Sequence, residues 1–144
     1  MKLTLHFDLD EFQRTSTGLV NDMPQYLLGN ATLTCCMLEE VRAVLGRPVF
    51  LSRGYSNTAV NVKVGGQKNS KHLTALAADV LTTDAMAEAE KLRANADRLP
   101  LLGKCIVERR AGETCGHLHL EPRVSEDAVK WLIKVGTEYR QLWP

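Results

Sequence analysis

The chain contains four histidines: His6, His72, His117 and His119. His72 stands seven residues before Asp79, and Leu73, Ala75, Ala77 and Ala78 lie between them. Small residues there let a loop lead into a strand that brings both side chains to one point. His119 follows forty residues after Asp79, near the start of another strand-like segment. Two imidazoles and one carboxylate on three corners of a tetrahedron are the ligand set of a catalytic zinc site, with the fourth corner left for water. Zinc lowers the pKa of that water to about 7 and supplies hydroxide at neutral pH. Spacing alone leaves the question open. His-x6-Asp arises by chance, and His117 and His119 also fit as alternate positions on one strand face.

Several elements must position these residues. Residues 7–14 read as a short helix with Asp8 or Asp10 as cap. Pro24 and Gly29-Asn30 mark a loop, and Thr32 to Leu45 carries apolar residues at helical spacing up to Gly46 and Pro48. Residues 48–52 form a short β-prone run. Asn57 to Val64 reads as a short helix ended by Gly65-Gly66, followed by a polar loop to Thr74 and an apolar strand from Ala75 to Leu81. Thr82-Thr83-Asp84 caps a helix from Ala85 to Leu99. Lys104 to Arg109 and His117 to Glu121 are strands joined by a turn over 111–116. Ser125-Glu126-Asp127 caps a last helix to about Leu142, with Trp131, Leu132, Val135 and Tyr139 on one face. The expected fold is α+β, a small antiparallel sheet with helices packed on one side.

The 144 residues suit a single domain, 1–144, and 44% hydrophobic with 24% charged residues is an ordinary globular composition. A net charge of +1 argues against nucleic-acid binding through bulk charge. The first residues carry no apolar signal region, so the expectation is a chain without a signal peptide, made in the cytoplasm. No run approaches a spanning helix, so membrane insertion is not expected. Cys35, Cys36, Cys105 and Cys115 form no Cys-x-x-Cys pair. A structural zinc site and a disulfide framework are both disfavoured, and buried reduced thiols are expected at Cys35 and Cys36.

Ser70-Lys71-His72-Leu73-Thr74-Ala75-Leu76-Ala77-Ala78-Asp79 resembles the Ser-x-His-x-x-Gly-x-Ala-x-Asp signature of the zinc D-Ala-D-Ala carboxypeptidase family, which includes phage endolysins. Ala75 stands where that family usually has Gly. Upstream, Arg53-Gly54-Tyr55-Ser56, Val60-Asn61 and Val64-Gly65-Gly66 through Ser70 resemble its Ser-Gly-Tyr-Arg and Val-Asn…Val-Gly-Gly stretches. His6-Phe7 and Asp10-Glu11-Phe12 resemble the start of its single-domain members. The resemblance covers nearly the whole chain. It implies a hedgehog-type fold, Zn2+ held by His72, Asp79 and His119, and hydrolysis of peptidoglycan stem peptides as carboxypeptidase or endopeptidase. The expected partner is that peptide substrate, acted on by a monomer.

The family's general base is a Glu, and two residues compete. Glu108 ends the apolar strand Cys105-Ile106-Val107, and a hairpin turn over 111–116 would place Arg110 opposite His117 and Glu108 opposite His119. Glu113 lies six before His119, closer to the hedgehog spacing. Strand placement favours Glu108. His117 matches a histidine that some members carry, where it would steady the oxyanion or position substrate. Glu121 shares that face beyond the metal, as a partner to a ligand or a solvated residue. Arg53, Tyr55 and Ser70 are the expected substrate-binding residues, with Arg53 taking the place of the family's Arg as carboxylate clamp, and Lys71, Arg109 and Arg110 as other cations. The alternative is a non-catalytic zinc-containing binding module, since the hedgehog domain keeps the ligands without an established peptidase role. A virion structural protein of the same fold would hold no metal.

Overall fold

Period-two alternation along the strands sorts apolar from polar side chains and so fixes which face of the sheet carries chemistry. The computed structural model describes residues 1–110, 112–113 and 115–143. Within these residues one sheet contains β1 (Leu51–Arg53), β2 (Ala78–Leu81), β3 (Leu102–Arg109), β4 (His117–Pro122), β5 (Lys130–Val135) and β6 (Glu138–Gln141). The order is β1-β2-β4-β3-β5-β6. All neighbours are antiparallel except β3 and β5, which are parallel. Four α-helices are described: α1 (Leu9–Phe12), α2 (Leu28–Leu45), α3 (Thr58–Lys63) and α4 (Ala85–Ala94). The fold is α+β, as the sequence implies.

Ala78, Val80, Cys105, Val107, Leu118, Leu120 and Trp131 point to one face and are buried. They pack with Leu38, Val41 and Val44 of α2 and Ala89 and Leu92 of α4 in a single core. The residues between them, Asp79, Ile106, Glu108, His117, His119, Glu121, Leu132 and Lys134, face the other way and line an open cleft. Burial pushes the Cys35 and Cys105 thiols up to about 12, which agrees with the core thiol expected at Cys35, whereas Cys36 is only half-buried. No helix among the described residues is long and apolar enough to cross a membrane.

Helix α2 begins at Leu28 and runs through Gly29-Asn30, which the sequence suggests as a loop. A 3₁₀ turn over Gln25–Leu27 feeds directly into it. Burial of Leu27 and Ala31 outweighs the roughly 1 kcal/mol helix penalty of a glycine. Gly46 ends the helix at φ 68°, its N–H bonded to the Arg42 carbonyl.

The expected last helix from Ser125 to about Leu142 is absent. Its place is taken by a loop and the β5–β6 hairpin. Apolar positions that suit a helical stripe also suit alternate faces of a strand. Trp131 is in the core while Leu132 and Lys134 face the cleft. The segment is rich in β-branched and aromatic residues, and Gly136 at φ 62° allows a tight turn between Val135 and its partner Glu138. The edge of β3 also needs a partner strand, which β5 supplies. The chain reaches β5 by crossing close over Gly103, where a Cβ would sit 2.8 Å from the Pro122 carbonyl oxygen.

The β3–β4 register also differs from expectation. Glu108 pairs with His117 and Ile106 with His119, a shift of two residues. A shift of two preserves the face, so Glu108 stays beside the histidines. The ladder stops early because the Glu113 carboxylate accepts the Arg110 backbone N–H at 2.8 Å. Of the expected turn, Ala111 and Thr114 lie outside the described residues.

Candidate metal centre

His72 sits in a 3₁₀ turn, Lys71–Thr74, whose N-terminus is capped by the Ser70 hydroxyl accepting the His72 N–H. The turn ends at Ala75, a non-glycine residue at φ 58°. This left-handed conformation explains why glycine is usual at that place in the signature the stretch resembles. β2 then carries Asp79, and β4 places His119 directly opposite it. His72, Asp79 and His119 each offer a ligand atom, and these atoms lie within 4.8 Å of one another.

A hydrogen bond sets the His72 tautomer. His72 Nδ1 is 2.6 Å from the Gly54 carbonyl, which can only accept, so Nδ1 carries the proton. Its Nε2 is buried without a hydrogen-bond partner and 3.3 Å from Asp79 Oδ1. His119 Nε2 is 3.0 Å from Glu121 Oε1, which leaves Nδ1 facing Asp79 Oδ1 at 2.9 Å. The lone pair of His72 Nε2 and the Asp79 carboxylate oxygen therefore point at one another, with His119 Nδ1 beside them. A cation resolves that repulsion, and the donor set fits a metal. Without a metal a proton takes its place. Burial opposes charge on His119, but hydrogen bonds to Asp79 and Glu121 outweigh it and raise the pKa to about 9. Burial likewise opposes the Asp79 carboxylate, yet the neighbouring His72 and His119 hold it well below the usual carboxylate range. Glu121 is steadied in turn by Lys104 at 3.0 Å.

Around this group lies a cleft of about 650 Å³. Glu108 Oε2 is 3.2 Å from His117 Nε2, which is also 4.0 Å from Asp79 Oδ1. Burial raises the Glu108 pKa, but the bond to His117 prevails and keeps it below the ordinary Glu value. The same bond raises that of His117. Arg53 lines the cleft with its guanidinium braced by Ser56 Oγ at 2.8 Å and Asn61 Oδ1 at 2.7 Å. Ser70 and Lys71 lie on the same wall. Glu113 is exposed, outside this cleft, and lines a neighbouring recess with Arg109 and Arg110.

Tyr55 is a correction. It belongs to the apolar core rather than the cleft, because the chain turns after Arg53 and buries the next side chains. His6 also stands apart, paired with Glu39 at 2.6 Å. Sequence reasoning missed Gln67, Leu132, Lys134 and Tyr139 as cleft residues. The last three follow from the hairpin that replaces the expected helix.

Gly54 couples this centre to the N-terminal segment. A Cβ there would run into the Phe12 backbone, while its carbonyl anchors His72. Gly54→Ala is expected to cost about 1–3 kcal/mol of stability and about tenfold or more in metal affinity. Thermal unfolding and chelator competition read the two effects. Unchanged affinity would show that the anchor does not matter.

Three side chains able to hold a metal ion thus meet on one face of an α+β sheet. The model of the Peptidase M15 family matches residues 5–114, and the chain belongs to that family, whose peptidases are metal-dependent. The match takes in His72, Asp79 and Glu108 and ends before His117 and His119, which pairing of β4 with β2 and β3 brings to the same place. No curated protein matches the chain.

Proposed function

We propose that the protein is a monomeric zinc peptidase that hydrolyses peptide bonds of peptidoglycan stem peptides. One observation carries this reading: two buried imidazole nitrogens, one of them without a hydrogen-bond partner, converge with Asp79 in an open cleft, next to a carboxylate held ionised. Two nitrogens and one oxygen suit zinc with an open fourth position. His72, Asp79 and His119 would hold the ion, which would supply a water of lowered pKa and a Lewis acid for the scissile carbonyl. Glu108 takes a proton from the attacking water and delivers it to the leaving amine as the C–N bond breaks. The water thus adds hydroxyl to the carbonyl carbon and hydrogen to the nitrogen. His117, whose pKa is raised by its bond to Glu108, faces the developing negative charge on the carbonyl oxygen. Arg53, a fixed cation on the opposite wall, orients the acyl side of the peptide, and Ser70 holds the His72 turn in place.

Mass spectrometry of muropeptides after incubation with the zinc-loaded protein tests the reading. New amines and matching acids are expected, and chelation should abolish them. Binding without cleavage, zinc present, would instead favour the non-catalytic module.

A further inference from the structure

The β5–β6 hairpin lies beyond residues 5–114 that define the family match, yet it forms one wall of the cleft. One row of side chains runs across the sheet: His117 pairs with Glu108, Glu108 with Lys134, and Lys134 with Tyr139. Lys134 is half-buried, and its ammonium lies 5.2 Å from the centre of the Tyr139 ring. The Tyr139 hydroxyl in turn lies 3.4 Å from Gln67 Nε2 on the facing loop. No carboxylate among the described residues forms an ion pair with Lys134. The guanidinium of Arg53 is by contrast already braced by two side chains. Glu108, His117 and Lys134 line both the cleft and the recess of about 470 Å³ beyond it.

We propose that Lys134 is a specificity-determining residue that binds the free α-carboxylate of the leaving amino acid. The inference rests on the peptidase reading above. Glu108 hands its proton to the leaving amine, and Lys134 is its neighbour on the adjacent strand, where side chains stand about 5 Å apart. In an α-amino acid the amine and carboxylate are separated by a single carbon. A residue leaving with a free carboxylate spans from Glu108 to Lys134, whereas a residue inside a longer peptide presents a neutral amide to the cation. The geometry therefore favours removal of a C-terminal residue over cleavage within a chain.

The test compares N-acylated L-Lys-D-Ala-D-Ala with its C-terminal amide. Wild type should prefer the free acid by about tenfold or more in kcat/KM, as expected for a charge-assisted hydrogen bond. Lys134→Met should bring that ratio towards unity, mainly through KM for the free acid, and Lys134→Arg should restore part of it. Binding is read separately by calorimetry in zinc-loaded Glu108→Gln. There the free acid should bind about tenfold more tightly than the amide, and adding Lys134→Met should remove the difference. Cleavage with an acid-to-amide ratio that Lys134→Met leaves unchanged overturns the role of Lys134 and keeps the peptidase reading. No cleavage of either peptide or of muropeptides by the zinc-loaded wild type overturns the peptidase reading and this inference with it.

Discussion

Replacing Glu108 with Ala is expected to slow muropeptide hydrolysis about 100- to 10,000-fold, the range for losing a positioned general base, while bound zinc stays unchanged. Glu113→Ala should stay within about threefold of wild type, as surface loop changes usually do. The difference follows from placement. Glu108 is fixed on β3, opposite His117 and two residues along the strand from the partner of His119. Its carboxylate faces the cleft and remains ionised through the bond to His117. Glu113 is exposed, and its carboxylate is occupied by the Arg110 backbone N–H. Glu108→Gln keeps the shape and removes the base, so it should be as impaired as Glu108→Ala. Steady-state rates with parallel metal analysis read both. Full activity in Glu108→Ala would sink the assignment, and a loss confined to Glu113→Ala would move the base to the loop.

The placing of His72 beside Asp79 was legible in the sequence because it is local, whereas His119, forty residues on, was named through the family resemblance. Ser70 caps the turn that holds His72, and Asp79 follows on the next strand. Strand alternation likewise put Glu108 and His117 on one face, and the register error did not matter because it was an even number of residues. The C-terminal hairpin was not legible. Trp131, Leu132, Val135 and Tyr139 satisfy a helical stripe as well as two strands, and Ser125-Glu126-Asp127 reads as a cap. The choice was made by the unpaired edge of β3, a partner more than twenty residues away in sequence. Missing the hairpin hid Lys134 and Tyr139, the wall that bears on specificity. Tyr55 failed for a related reason: a motif names a residue type but not the side of the chain on which it is buried.

Removing the metal should produce the other large effect, and its size should depend on pH. His119→Ala, or chelation, deletes one corner of the site and is expected to abolish hydrolysis. In the metal-free protein His119 keeps a proton up to about pH 9, against an unfolded value near 6.5. A raised pKa stabilises the fold fully below about 6.5, and that contribution disappears as pH rises through 9. The loss amounts to about 3 kcal/mol, or roughly 10 °C in Tm for a chain of this size. Metal binding displaces the same proton, so apparent affinity should rise about tenfold per pH unit until it flattens near 9. The metal-free Tm should therefore fall between pH 6.5 and 9 while the gap to the zinc-loaded Tm widens. Calorimetric titration near pH 7.5 in buffers of different ionisation enthalpy should register about one proton released per zinc bound. A gap independent of pH, with no proton released, would mean that His119 is already neutral before the metal arrives and that its bonds to Asp79 and Glu121 do not hold a proton in the empty site.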